Sequence, residues 1–154
     1  MKEILVTGGY TALVDDEDYA RLSQFKWCMR NGYAVHDELY LHHAVLQCSG
    51  HIDHKDRNTL NCQKSNLRPC TVSQNAQNAI YPTGKSGHRG IFKDHRGKWR
   101  GQVRVNNKRH YTKGYSDIDL AVIARDQLAK EHFGDFAVLT KNYARYELTK
   151  GTPT

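Results

Sequence analysis

The chain predicts an α+β protein in two small parts: a β-rich N-terminal region, then, after a linker, a basic sheet covered by one helix. Three observations carry this expectation. Short apolar runs separated by turn residues fill the first half. Two capping-box patterns, Thr71 with Gln74 and Ser116 with Asp119, mark helix starts. Residues 96–105 alternate between polar and non-polar positions, the period of a strand with one face buried.

Taken in order, Ile4-Leu5-Val6 and Ala12-Leu13-Val14 flank Gly8-Gly9 and predict an opening hairpin. Asp15 or Asp16 can cap a short helix on which Tyr19 and Leu22 share a face, with Phe25 and Trp27 following as core aromatics. Tyr33-Ala34-Val35 and Leu39 to Leu46, on either side of Asp37-Glu38, predict a second hairpin that leads into His51-Ile52-Asp53-His54. The Thr71 box predicts a helix from about Val72 to Ile80, stopped by Pro82 and Gly84. Residues 81–87 have the composition of a linker, which sets the domain boundaries at 1–80 and 88–140, with 141–154 as a tail.

In the second part Arg96, Lys98, Arg100, Gln102 and Arg104 fall on one side of a strand, and Gly97, Trp99, Gly101, Val103 and Val105 on the other. Asn106-Asn107 suits a hairpin turn, with Arg109 to Tyr115 returning as the next strand. Ala121, Ala124 and Leu128 then repeat at helical spacing until Gly134, and that helix is expected to cover the apolar face.

Composition narrows the partners. The 154 residues carry a formal charge of +7, and 38% are hydrophobic. Residues 85–113 hold ten Lys/Arg and one acid, which leaves 13 basic and 15 acidic residues elsewhere. All the excess positive charge therefore lies in the second part, the electrostatic footprint of a nucleic-acid partner. Mean hydropathy is −0.76, and no apolar run approaches a membrane span or a signal peptide, so a cytoplasmic protein without a membrane partner is expected. Cys28, Cys48, Cys62 and Cys70 lack close C-x2-C spacing and are expected to be reduced thiols; a zinc site drawn from three of them and a histidine is the alternative.

The segment richest in chemistry runs from Asp53-His54 through Asn58, Asn61, Asn66 and Asn75. Asp53 offers an anionic oxygen and Asn75 a neutral one, a pair suited to a hard cation such as Mg2+ that keeps waters and takes a phosphate oxygen. His54, with a reference pKa of about 6.5, can accept a proton from water near neutrality. The Asn66 carbonyl could hold one imidazole N–H and so fix the tautomer. Each of these residues also suits an ordinary turn, so the residues alone leave hydrolytic chemistry as one candidate among several.

The stretch LHHAVLQCSGHIDHKDRNTLNCQKSNLRPCTVSQNAQN resembles the HNH, or ββα-metal, endonucleases, especially the phage homing branch that ends in Asn rather than His. The match runs from His42 to Asn78 through the Leu-His start, the Asp-His pair, Ser-Asn-Leu-Arg at 65–68 and a helical Gln-Asn. The resemblance implies Asp53 and Asn75 as ligands of Mg2+ or Mn2+, His54 as general base and Asn66 as its orienting partner. Relatives often follow the first His with Arg, whereas His43 stands here, so His42, His43 and Arg68 are carried as candidate contacts to DNA.

Residues 86–139 resemble the plant ethylene-response-factor (AP2-type) DNA-binding domain, a three-stranded antiparallel sheet backed by a helix. The shared pieces are Ser-Gly-x-Arg-Gly-Ile, Gly-Lys-Trp-Arg, the Asn-Lys-Arg turn and a helix ending His-Phe-Gly. The resemblance implies DNA contacts from Arg89, Arg96, Gln102 and Arg104; Lys98 and Arg100 are neighbours on the same face, and Arg109 and Lys113 complete the candidate set. Phe92 and Asp94 replace basic contacts of the plant proteins, so their target sequence does not transfer.

Together the two resemblances imply a metal-dependent endonuclease acting on double-stranded DNA as a monomer or weak dimer, nicking one strand per site. If the chain is phage-encoded, it would act in the host cytoplasm. The rival readings are a DNA-binding regulator with an inactive HNH-like module and a zinc-stabilised RNA-binding module.

Overall fold

The computed structural model describes residues 1–79 and 83–140, so the tail and part of the linker expected at 81–87 lie outside the described residues. The protein is α+β, with small antiparallel sheets and short helices divided between two compact units, Met1–Asn78 and Ala79–Thr154. Among the described residues no helix is long and apolar enough to cross a membrane.

The first unit opens with the hairpin β1 (Lys2–Val6) and β2 (Tyr10–Val14), paired from Lys2↔Val14 to Val6↔Tyr10. Ile4, Val6, Ala12 and Val14 point inward and Leu5 outward, which is the alternation a half-buried hairpin requires. Helix α1 (Asp16–Leu22) follows, and its Leu22 is buried. Asp15 stands at its N-cap, but its carboxylate accepts hydrogen bonds from Gln63 Nε2 (3.2 Å) and the Lys64 N–H (2.7 Å), tying the helix start to a distant loop. Of the two aromatics expected in the core, Trp27 is buried and donates its indole N–H to Leu22 O at 2.9 Å; Phe25 is exposed.

Next come β3 (Cys28–Arg30), β4 (Tyr33–His36) and β5 (Leu39–Tyr40) in one meander. The β3–β4 turn is Asn31-Gly32, both at positive φ, a hairpin the apolar pattern did not announce. The strand expected over Leu39 to Leu46 ends after two residues, and Leu41–Leu46 forms helix α2. Leu41, Ala44 and Val45 bury one side at helical spacing, and Gln47 stops the helix in the left-handed region. Strands β6 (His51–His54) and β7 (Leu67–Cys70) pair with Asp53 opposite Arg68, and α3 (Val72–Asn78) completes a strand–loop–strand–helix unit. The expected box is present in both directions: the Gln74 N–H donates to Thr71 Oγ1 at 3.2 Å and the Thr71 N–H to Gln74 Oε1 at 2.8 Å.

The second unit is the sheet β8 (Ile91–Lys93), β9 (Trp99–Val105) and β10 (Lys108–Tyr111), with β9 central, and helix α4 (Ile118–Phe133). The strand expected from Arg96 begins instead at Trp99, because the Asp94 carboxylate accepts from the Arg96 and Lys98 N–H groups (2.9 and 3.0 Å) and holds them in a turn. The return strand ends at Tyr111, with only a Trp99↔Tyr115 bridge beyond it. Asp117, not Ser116, caps α4, accepting from the N–H groups of Asp119 (2.6 Å) and Leu120 (3.2 Å). The helix seats against Gly101, where a Cβ would lie 2.4 Å from Arg125 Cβ; a side chain there would push helix and sheet apart. Ile91, Val103, Ala121, Val122 and Ala129 are buried between them.

Candidate active site and nucleic-acid interface

Asp53 and His54 are adjacent on β6 and both are buried, which places the chain's most reactive pair under cover. A buried carboxylate needs hydrogen bonds and a counter-charge. Asp53 has both. Its Oδ1 accepts from Asn78 Nδ2 at 2.8 Å, and its Oδ2 meets Arg68 Nε at 2.8 Å and Nη2 at 2.6 Å. Asn78 also donates to His54 O at 2.9 Å and accepts from Arg57 Nε at 3.4 Å. The last residue of α3 is thus fastened to the β6 strand, and its amide lies against the Asp53 carboxylate.

Asn78 is the helical asparagine beside Asp53. Asn75, chosen from sequence as the second ligand, lies three residues earlier; it is half-buried, and its side chain has no hydrogen-bond partner among the described residues. The signal for Asn78 was available, since residues three apart share a helix face and either could reach the strand.

Asn66 is not the partner of His54, contrary to expectation. Its Oδ1 accepts the Asp56 N–H at 3.0 Å, and its Nδ2 donates to Asp56 Oδ1 (2.9 Å) and Asn61 O (2.8 Å). Asp56 is the hub of the asparagine-rich loop and also accepts from the Asn58 N–H (2.8 Å) and Asn61 Nδ2 (2.7 Å). Burial opposes its ionisation, but the bonds from Asn61, Asn58 and Asn66 outweigh that and hold its carboxyl below the usual range. These asparagines are spent on shaping the loop that returns the chain from β6 to β7.

What faces His54 instead is Cys62, with Sγ 4.0 Å from Nε2 and 3.8 Å from Thr59 O. Burial, reinforced by Asp56, pushes that thiol up to about 12, so it is an S–H that donates onward and not a thiolate. The opening hairpin holds Cys62 there: the Cys62 N–H donates to Leu13 O and the Leu13 N–H to Leu60 O, both at 2.8 Å. Burial also lowers the imidazole of His54, while Asp56 and Asp53 pull the other way; the net result favours the neutral ring. Nδ1 of His54 has no hydrogen-bond partner among the described residues.

The two histidines expected at DNA sit on α2. His42 is 7% exposed, stacked on Tyr40 (5.4 Å between ring centroids) and edge-on to His54 (5.2 Å). Desolvation, with the neighbouring His54 and His43, drives its pKa to about 3. A ring that is buried and neutral cannot pair with a phosphate, so His42 forms one wall around His54. His43 holds Cys48 O through Nδ1 at 3.1 Å, and the guanidinium of Arg68 is on Asp53.

Asp53 offers a hard carboxylate oxygen, but Asn78 turns its Nδ2 to that carboxylate and its Oδ1 to Arg57 Nε, which leaves Asn75 as the α3 amide whose oxygen is unbound among the described residues. Among the described residues no three His, Cys, Asp or Glu side chains converge to hold a metal, so water and substrate would have to complete the coordination. The four cysteines are free thiols.

Residues 49–77 match the HNH endonuclease family. The HNH match covers β6, the asparagine-rich loop, β7 and α3 up to one residue short of Asn78. Over 145 residues the chain is 29% identical to a protein of Acanthamoeba polyphaga mimivirus named as an uncharacterized HNH endonuclease; the alignment covers 86% of this chain and 76% of the relative. No solved structure matches. The Asp53–His54 pair therefore lies within the segment that matches the HNH endonuclease family.

In the second unit the register Phe92↔Arg100, Gln102↔Tyr111 and Arg104↔Arg109 puts these six residues on the sheet face away from α4. All of them but Arg104 line a shallow concavity of about 560 Å³ together with Lys93, Asp94 and His95. Arg100 is braced there, donating from Nε to Thr112 O at 2.9 Å and lying 5.5 Å from the Tyr111 ring centroid. Arg96 and Lys98 are exposed in the turn before β9, and Lys113 is exposed beyond β10. Arg89 lies off the sheet and donates to Ala79 O at 3.2 Å.

Proposed function

We propose that the chain hydrolyses phosphodiester bonds of double-stranded DNA, with His54 as general base, Asp53 and Asn75 as the residues that hold a divalent cation, and the outer sheet face of the second unit gripping the duplex. The single observation that carries the reading is the buried Asp53–His54 pair in the HNH segment, with a helical asparagine on the carboxylate.

His54 has what a base requires. Its ring is held neutral, Nε2 faces the Cys62–Thr59 relay, and Nδ1 is left to take a proton from water. Cys62, in place of Asn66, would fix the tautomer. Asp53 supplies the anionic oxygen for the cation and Asn75 the neutral one, while Asn78, whose Oδ1 faces Arg57, positions Asp53 through Nδ2. The cation, when bound, supplies positive charge for the phosphate oxygens and the leaving 3′ oxygen. Mg2+ or Mn2+ meets the hard-oxygen requirement. Arg100, Arg104 and Arg109 would meet backbone phosphates, and Gln102 with the Phe92–Tyr111 pair would meet base edges. Arg96, Lys98 and Lys113 extend the basic surface, and Arg89 would contribute only from outside the sheet.

One active site cuts one strand, so a monomer would nick and leave 5′-phosphate and 3′-hydroxyl ends. A supercoiled-plasmid assay with Mg2+ or Mn2+ tests the reading. His54→Ala should slow nicking by about 10²- to 10⁴-fold while DNA binding persists. Wild-type nicking rates in His54→Ala would remove the proposed mechanism. The Arg68 ion pair on Asp53 favours a second reading, a DNA-binding regulator whose HNH segment is inert; plasmid bound by the wild-type protein but never nicked would select it.

A further inference from the structure

We propose that Arg68 is an exchangeable counter-ion of the active site, giving up Asp53 when a divalent cation binds and turning to the DNA phosphate, so that cation and DNA bind cooperatively. The inference rests on the reading of Asp53 as a cation ligand and adds a device that couples the two ligands.

The geometry is specific. Both carboxylate oxygens of Asp53 are taken, Oδ1 by Asn78 and Oδ2 by two nitrogens of Arg68 at 2.6 and 2.8 Å. The pair is nearly enclosed, with the side chains 14% and 5% exposed, so little water screens it. A cation at Oδ2 and a guanidinium at the same oxygen would repel each other at close range, and both cannot stay. Oδ1 is the worse point of entry, because freeing it means detaching Asn78 from Asp53 and from His54 O, and with it the end of α3. Arg68 is the group that can leave without unfolding an element. It stands opposite Asp53 in the β6–β7 register, and rotation about its own stem carries the guanidinium off the carboxylate while β7 stays paired.

Once displaced, a guanidinium at a half-buried position needs an anion. Its planar fork matches a phosphate's oxygens, and the phosphate approaching the cation is the nearest such group in the proposed reaction. DNA would therefore hold Arg68 away from Asp53 and make room for the cation, while the cation would release Arg68 for DNA. Linkage requires that each raise the other's affinity by the same factor.

The test measures Mn2+ binding to the full chain by the electron paramagnetic resonance of free Mn2+, with and without a short mixed-sequence duplex, in a His54→Ala background that slows cleavage. Without DNA, Arg68→Gln should bind Mn2+ about tenfold tighter, the scale of one charge-assisted hydrogen bond removed from the competition. With DNA, the gain in Mn2+ affinity seen with Arg68 present should shrink toward nothing in Arg68→Gln. Arg68→Lys, which keeps the charge and loses the fork, should fall between the two and serves if Arg68→Gln does not fold. Mn2+ binding in Arg68→Gln that equals or falls below that with Arg68 present would overturn the exchange and make Arg68 a fixed support of Asp53. Asp53→Asn separates the two levels. If it leaves Mn2+ binding unchanged, the metal assignment fails and this inference with it; if it abolishes binding while Arg68→Gln changes nothing, only the exchange fails.

Discussion

Acidification should destabilise the first unit through His42, by an amount the structure sets. Its ring lies among Tyr33, Tyr40, His43 and His54, with no carboxylate among the described residues acting on it, and its pKa is driven from 6.5 to about 3. Below pH 6.5 the unfolded chain binds a proton at this residue and the folded chain does not, so stability rises with pH across the window from about 3 to 6.5 and is lost as pH falls through it. The limiting slope is about 1.4 kcal/mol per pH unit, and between pH 7 and 5 the loss from this group is about 2 kcal/mol. His54 is shifted in the same direction and adds to the slope. Urea unfolding of the full chain, followed by the buried Trp27 with Trp99→Phe in every protein, gives the stability at each pH. His42→Phe preserves an aromatic ring on Tyr40 but removes the titration, so the slope between pH 7 and 5 should flatten, leaving the part due to His54. Equal slopes in the two proteins would refute the argument, since they would mean that a folded His42 is protonated as easily as an unfolded one.

Three further outcomes are expected. Asn66→Ala should cost about 1 kcal/mol of first-unit stability, because Asp56 and Asn61 O lose a donor in a largely exposed loop, and the pH profile of nicking should keep its acid limb; a shifted limb would restore Asn66 as a partner of His54. Asp126→Ala should destabilise the second unit by about 3–5 kcal/mol in urea titrations followed by Trp99, since Arg125 is 4% exposed and pairs with Asp126 at 2.9 Å; a change below 1 kcal/mol would show that Val138 O and the surrounding backbone satisfy the guanidinium alone. DNA affinity should fall steeply with salt, and Arg104→Gln or Arg109→Gln should each reduce the slope of log K against log salt by about one; unchanged slopes would move the duplex off this sheet face.

Patterns with a strong local cause were legible in the sequence. The opening hairpin follows from apolar runs around Gly8-Gly9, α3 from the reciprocal Thr71–Gln74 box, and the two-faced β9 from alternation at period two. Short elements were misread where two periods fit the same letters. Leu39 to Leu46 is apolar enough for a strand, but six residues at helical spacing bury Leu41, Ala44 and Val45, and tertiary burial decided for the helix. The Asn31-Gly32 hairpin carried a turn signal but lacked the flanking alternation that would have framed it. In the site, Asp53-His54 was legible because adjacent functional groups need no geometry to be read together. Which α3 asparagine bonds Asp53 was not, because helix phase relative to a strand is fixed by packing, and Cys62 as the neighbour of His54 was not, because a thiol does not advertise itself as a partner for imidazole.

The misassigned asparagines point to how such a site is built. Sequence reading gave Asn66 a role at the reaction, yet it acts with Asn58 and Asn61 on Asp56 and on backbone groups. A loop joining β6 to β7 has many peptide groups and no ladder to satisfy them, so amide side chains that both donate and accept are its structural requirement. That requirement also accounts for Asp56, two residues from His54, whose oxygens receive three donors from within the loop. The groups gathered at the candidate site are few: Asp53 and His54 on β6, Cys62 in the loop after it, Arg68 on β7 and Asn78 on α3. Moving any one of those elements should impair the site even where the residue itself is intact.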